Sequence, residues 1–97
     1  MNTKKITKAK KMSYIRKMAE KDEEFLFFKE KIGLTFEHVT ITDLTTKKNL
    51  QAGNENLGYA GIFLNQAGYV ESYFCLKMDR KLQTEYKKKF KKQPQVY

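Results

Sequence analysis

The chain has 97 residues, a length typical of one domain with one modest hydrophobic core. Its hydrophobic content of 40% predicts a folded chain, and its formal net charge of +9 predicts an anionic partner, nucleic acid before an acidic membrane. A single cysteine and a single histidine exclude an intrachain disulfide and a zinc site made of cysteine pairs.

The first predicted element is a helix over residues 8–32. Apolar residues recur in it at helical spacings, and Gly33 is a suitable end. Asp22 followed by two glutamates predicts a helix cap, so a break near residue 21 is possible. The sequence FLFF covers most of the circumference of this helix, which favours one face toward the core and another toward a second copy of the chain. The predicted homodimer interface comprises Tyr14, Met18, Phe25 and Phe28.

The middle of the chain predicts a short strand at TFEHVT and then two helices. Thr40 and Asp43 resemble a capping box at the start of the first helix. Asn54 is a candidate cap for the second, in which four small or apolar residues share one helical face before Gly68.

The segment YVESYFCLKM alternates between apolar and polar residues and predicts a strand over residues 69–77. The last segment is ambiguous, because Leu82, Tyr86 and Phe90 share a face both in a strand and in a helix. Residues 1–7 and 93–97 are predicted to be flexible tails of a single domain spanning residues 1–97.

The element order and the stretch FLNQAGYVES resemble the winged helix-turn-helix family of DNA-binding proteins. In that family a similar stretch leads from the recognition helix into the first wing strand. The resemblance implies an α+β fold with an extended N-terminal helix and a two-stranded C-terminal wing, of residues 69–77 and 82–90. A narrower likeness is to relaxosome accessory proteins of clostridial conjugative plasmids.

Charge is segregated along the chain. Residues 1–21 hold eight basic residues and one acid, and residues 77–97 hold eight basic residues and two acids, whereas residues 22–76 hold four basic and eight acidic residues. No lysine or arginine lies between Lys48 and Lys77, so the segment that resembles a recognition helix makes no charged phosphate contact. The two ends of the chain are therefore predicted to bind the DNA.

The predicted DNA contacts form three groups. The wing group is Lys77, Arg80, Lys81, Gln83, Thr84 and Lys87. The N-terminal group is Lys4, Lys5, Lys8, Lys10 and Lys11. Asn56 is the candidate base contact from the recognition helix.

The predicted function is sequence-specific binding of double-stranded DNA without catalysis, at a plasmid origin of transfer or as a small transcriptional regulator. Alternatives are an RNA- or ribosome-binding protein and a phage-type protein-interaction module. His38 lies in no catalytic motif, and there is no glycine-rich phosphate loop, so no enzyme, cofactor, metal or small-molecule ligand is expected. No apolar run reaches the ~18–20 residues of a membrane span and no secretory signal is evident, which predicts a cytoplasmic location.

Overall fold

The computed structural model describes residues 8–97, with side chains from residue 10 onward. It is an α+β fold in which three helices cover one face of a four-stranded mixed sheet. The regular elements in chain order are α1 (Lys8–Ala19), α2 (Glu23–Ile32), β1 (Val39–Asp43), β2 (Lys48–Gln51), β3 (Gly58–Leu64), β4 (Val70–Leu76) and α3 (Arg80–Phe90). Two 3₁₀ turns, Phe36–His38 and Glu55–Leu57, precede β1 and β3.

The strands are ordered β2-β1-β3-β4, and the central pair β1 and β3 is parallel while both outer pairs are antiparallel. Ala60, Ile62 and Leu64 of β3 point into the core, and so does Phe74 of β4. Tyr59 and Tyr73 lie on the opposite, open face, with their ring centroids 5.9 Å apart. The three helices therefore lie on the covered side of the sheet.

One hydrophobic core joins residues of all three helices to the sheet. Its centre is a group of aromatic rings. Phe28 of α2 is fully buried and stacks on Tyr86 of α3 with a centroid distance of 5.7 Å. Phe27 meets Tyr86 and Phe90 edge to face, so α2 holds α3 against the sheet through aromatic contacts.

The helix predicted over residues 8–32 is confirmed as α1 and α2, which are separated by the break expected near residue 21. The Asp22 carboxylate accepts hydrogen bonds from the backbone N–H groups of Glu24 and Phe25, which caps α2. Gly33 ends α2 in the left-handed conformation, with φ of 72°. The α+β class and the strand at residues 69–77 are also confirmed.

The prediction of two helices in the middle of the chain was wrong. The segment after Thr40 continues as strand β1, and the segment after Asn54 forms a 3₁₀ turn followed by β3. Leu57, Ala60 and Leu64 fit a helical pattern, but Ala60, Ile62 and Leu64 fit an alternating one, and two glycines with aromatic and β-branched neighbours favour the strand. Gly58 also has φ of 109° and lies where a Cβ atom would come within 2.6 Å of the Cys75 carbonyl oxygen.

The prediction of a second wing strand over residues 82–90 was wrong as well, because residues 80–90 form helix α3. Leu82 and Tyr86 are buried one helical turn apart, and most other residues of the segment are strong helix formers. The helix-turn-helix and the two-stranded wing implied by the resemblance are thus not found in residues 8–97.

The C-terminal segment, predicted to be a flexible tail over residues 93–97, instead binds the end of β4. The Leu76 N–H donates to the Gln95 carbonyl oxygen at 3.2 Å, and the Tyr97 N–H donates to the Leu76 carbonyl oxygen at 3.0 Å. Val96 thereby forms a parallel bridge with the end of β4. Residues 1–7, the other predicted tail, lie outside the described residues.

Candidate nucleic-acid interface

Helix α3 is fixed to the core along one side. The Asp79 carboxylate caps it by accepting from the Leu82 N–H at 2.8 Å, and the Gln83 amide donates to the Met78 carbonyl oxygen at 3.0 Å. Leu82 and Tyr86 are buried, and Phe90 packs against the core. A helix held on this side presents its opposite side to solvent in a defined orientation.

That opposite side is basic. Arg80, Lys87 and Lys91 recur at intervals of seven and four residues, and Lys81 and Lys88 form a neighbouring row. All five side chains are exposed. Within residues 8–97 none of the five forms a salt bridge with an acid. We call these five residues the α3 basic face; it extends about 16 Å along the helix, at 1.5 Å per residue.

Other cations near α3 are engaged within the chain. The Lys92 ammonium lies 2.8 Å from the Glu24 carboxylate, and Lys31 lies 3.7 Å from Glu85. The Lys89 ammonium lies 5.9 Å from the centroid of the Phe27 ring, a cation–π contact. These three cations contact groups at the interface between α2 and α3. The α3 basic face is therefore the part of the helix surface whose cations form no such contact with α2.

A hydrogen bond fixes the rotation of α3 against α2. The Tyr86 hydroxyl donates to the Glu24 carboxylate at 2.5 Å. Burial, and then this hydrogen bond and the negative charge of Glu24, raise the pKa of Tyr86 above its ordinary value. Tyr86 is thus a neutral donor that connects the two helices.

The predicted wing group lies at the start of α3 and along it, but its members differ in role. Lys77 precedes α3 and its ammonium lies 5.7 Å from the centroid of the Tyr97 ring. Gln83 and Thr84 were predicted to bind DNA, but their side chains donate to the carbonyl oxygens of Met78 and Arg80. Arg80, Lys81 and Lys87 belong to the α3 basic face.

The predicted N-terminal group lies only partly in the part of the chain that the structure describes, and one of its lysines is engaged within the fold. Lys4 and Lys5 lie outside that part, and Lys8 is the first residue of α1. Lys10 is exposed. Lys11 instead binds a buried carboxylate, with its ammonium 2.7 Å from Oδ2 of Asp43.

Asp43 has no exposed surface and ends β1, rather than beginning a helix as the sequence predicted. Its other oxygen accepts from the Thr45 backbone N–H at 2.9 Å and from the Thr45 hydroxyl. Burial alone raises the pKa of this carboxyl, but the hydrogen bonds from Lys11 and Thr45 and the charge of Lys11 outweigh it and lower the pKa to about 2. Lys11 is therefore a structural cation.

Asn56, the predicted base contact, is exposed on the turn before β3. The neighbouring Leu57 carbonyl oxygen accepts from the Lys77 N–H at 2.9 Å, so this turn adjoins the loop that leads into α3. The β3–β4 pairing thus places the turn that carries Asn56 beside Lys77, and Asn56 does not lie on a recognition helix.

The predicted dimer interface divides into two pairs. Phe25 and Phe28 are 4% and 0% exposed and belong to the core of their own chain, so they do not face a partner in this fold. Tyr14 and Met18 are about 40% exposed and lie one helical turn apart on α1. A dimer through Tyr14 and Met18 stays a prediction.

Within residues 8–97 no group of three or more histidine, cysteine or acidic side chains is arranged to hold a metal ion. The ring nitrogen Nδ1 of His38 accepts from the Thr35 backbone N–H at 3.0 Å, which is a local turn contact. None of the helices in that range is both long and apolar enough to cross a membrane.

Comparison of the chain with known protein families, curated proteins and solved structures found no match. The candidate interface therefore depends on the geometry of the chain itself. Lys88 and Lys91 were absent from the predicted contacts although they extend the α3 basic face. Their spacing from Arg80 is the signal that identifies them once residues 80–90 are taken as a helix.

Proposed function

We propose that the protein binds double-stranded DNA without catalysis and that the α3 basic face is its contact surface. One observation carries the proposal: five cations lie on the solvent side of a helix whose other side is fixed in the core. Phosphate contacts by lysine and arginine supply most of the affinity of such complexes. An α-helix with its side chains is about 10–12 Å wide, which matches the ~12 Å major groove.

Within the α3 basic face, recognition of the DNA sequence is assigned to Arg80. Arginine can donate two hydrogen bonds to a guanine in the major groove, and Arg80 is the one arginine on this face. The four lysines are suited to phosphates. Selection from a random duplex library tests this point: we expect a short motif containing guanine, which Arg80→Lys weakens. Retention without any motif would mean that binding is only electrostatic.

The roles at an origin of transfer or a promoter depended on the winged helix-turn-helix resemblance. Because the recognition helix and the second wing strand of that resemblance are not found in residues 8–97, neither role is included in the proposal.

The main test compares two charge reversals of equal size. Lys87→Glu with Lys88→Glu alters the α3 basic face, while Lys29→Glu with Lys48→Glu changes the net charge equally at exposed positions on α2 and β2. We expect the first pair to weaken binding of a duplex DNA at least about tenfold in moderate salt, and the second pair to weaken it much less. Equal effects of the two pairs would contradict the proposal.

The same titration with an RNA duplex and with single strands addresses the RNA alternative. B-form DNA has a wide major groove that accepts a helix, whereas the major groove of A-form RNA is too narrow. Tighter binding of DNA duplex supports the proposal, and a preference for A-form RNA or single strands contradicts it.

A further inference from the structure

The sheet has an open face, opposite the one that the three helices cover, and this face carries aromatic side chains. Tyr59 and Phe63 of β3 alternate with core residues and lie half-buried on the open face. Tyr73 and Cys75 of β4 pair with residues of β3 on the same face, and Tyr73 is 39% exposed. All three helices described in residues 8–97 pack on the other side, so none of them covers these rings.

The centre of the open face is a flat aromatic surface. A Cβ atom at Gly61 would lie 3.1 Å from the Tyr59 ring, so this ring lies along β3 over the glycine. The Tyr73 ring is next to it, with a centroid distance of 5.9 Å. The strands beneath, β1 and β3, are parallel, and parallel strands are usually covered on both faces. An exposed aromatic surface above such a pair therefore indicates a protein partner.

Two opposite charges lie at the two ends of β4 on the open face. Glu71 is near the turn between β3 and β4, where its carboxylate accepts from the Asn65 side-chain amide at 3.1 Å. Lys77 follows β4 directly, and because its neighbours Leu76 and Met78 are buried in the core, it points to the open side. The two charged residues are about 20 Å apart along an extended strand, too far for a salt bridge within one chain.

We propose that the open face packs against the open face of a second copy of this chain. The two-fold axis lies between the two sheets and runs across their strands, at the level midway between Tyr73 and Cys75. This axis places Glu71 of each copy over Lys77 of the other, because both residues are equally far from it.

The same axis gives a complementary fit at the centre of the interface. Tyr73 of each copy lies over Cys75 of the other, so a large residue faces a small one. The Tyr59 ring spans the level of the axis, since it begins opposite Cys75 and extends over Gly61, and it therefore meets its equivalent in the second copy. Complementary charge at the ends and complementary size at the centre favour a second copy as the occupant of this face.

The dimer is a sandwich of two four-stranded sheets about 10 Å apart, with the helices on its two outer sides. The outer edge of β4 takes no part in it, and the C-terminal segment keeps its place there. The inference does not depend on DNA binding, because its evidence lies on the face opposite to α3. If both proposals are correct, the two α3 basic faces point in opposite directions and one dimer binds two duplexes.

An exchange of charges tests the arrangement. Glu71→Lys places lysines over each other, and Lys77→Glu places glutamates over each other. Each single variant should weaken dimerisation at least about tenfold, although the two change the net charge in opposite directions. The double variant Glu71→Lys/Lys77→Glu restores opposite charges across the interface and should restore the dimer. Sedimentation equilibrium measures the shift between the dimer and chains of 11.5 kDa, and far-UV circular dichroism checks that each variant is folded.

Matched controls are Glu20→Lys and Lys29→Glu, at exposed positions on α1 and α2. Both should leave dimerisation unchanged. The proposal fails if the wild-type chain is monomeric at all concentrations, or if the double variant dissociates as the single variants do. A dimer that neither single variant weakens is held by another surface, such as Tyr14 and Met18, and would also overturn the proposal.

Discussion

The carboxylate of Asp43 is buried at the end of β1, and its charge is balanced by Lys11, a residue 32 positions earlier in the chain. The pair connects α1 to the sheet. Removing one partner of such a pair leaves an unbalanced buried charge, whereas removing both leaves none. Its effect on stability is therefore specific to the pair and can be measured.

Lowering the pH should remove the stabilisation that Asp43 provides. Its pKa falls from 3.8 to about 2 on folding, so the contribution is present above pH 4 and is lost as the pH falls through 2. The shift corresponds to about 2 kcal/mol of unfolding free energy. Urea unfolding between pH 5 and 2 measures it, with Asp43→Asn/Lys11→Met as the control that lacks this dependence.

At neutral pH, Lys11→Met alone should lower the unfolding free energy by about 3 kcal/mol, because the buried carboxylate loses its cation. Adding Asp43→Asn to Lys11→Met should restore part of that loss. Additive losses in the double variant would contradict a direct pair.

Tyr86→Phe isolates the hydrogen bond between α3 and α2. The change leaves the ring stacked on Phe28 but removes the hydroxyl donor to Glu24. We expect a loss of about 1–2 kcal/mol in unfolding free energy, measured by urea denaturation at pH 7. Tyr69→Phe, at an exposed tyrosine, is the control and should have no measurable effect.

At the scale of elements, α3 combines an apolar side and a basic side in eleven residues. Leu82→Ala should cost about 2–4 kcal/mol because it leaves a cavity under the helix. Thr84→Ala, on the exposed side, should change stability by less than about 0.5 kcal/mol. Thermal or urea unfolding of both variants compares the two sides, and similar losses would contradict the assigned orientation of α3.

The N-terminal helices could be predicted from the sequence, but strand β3 could not. The N-terminal helices were predictable because Asp22 and Gly33 are local cap signals. For β3, the positions of Leu57, Ala60 and Leu64 match a helical period, and no local signal excluded it. Pairing with the following strand β4 and with β1, which is distant in sequence, decided the strand.

The candidate site was only partly predictable for the same reason. Arg80, Lys81 and Lys87 were identified from charge alone, but their common face with Lys88 and Lys91 depends on residues 80–90 being helical. The role of Lys11 depends on a contact across the fold with Asp43, which neither segment signals by itself.

At the scale of the whole molecule, charge segregation along the sequence becomes a basic surface on the helical side of the sheet. If the four lysines of the α3 basic face contact phosphates, the logarithm of the association constant should fall with the logarithm of salt concentration at a slope of about −3 to −4. Lys88→Ala should reduce that slope by about one, and Lys48→Ala should leave it unchanged. Fluorescence anisotropy with a duplex DNA at several salt concentrations measures both.

The most direct test of the account is to map the DNA-binding surface by NMR, adding a duplex DNA to the ¹⁵N-labelled protein. Amide shifts should concentrate in residues 77–91 and be largest near Arg80, Lys87 and Lys91. Shifts concentrated on the open sheet face around Tyr59 and Tyr73, or no shifts at all, would contradict it.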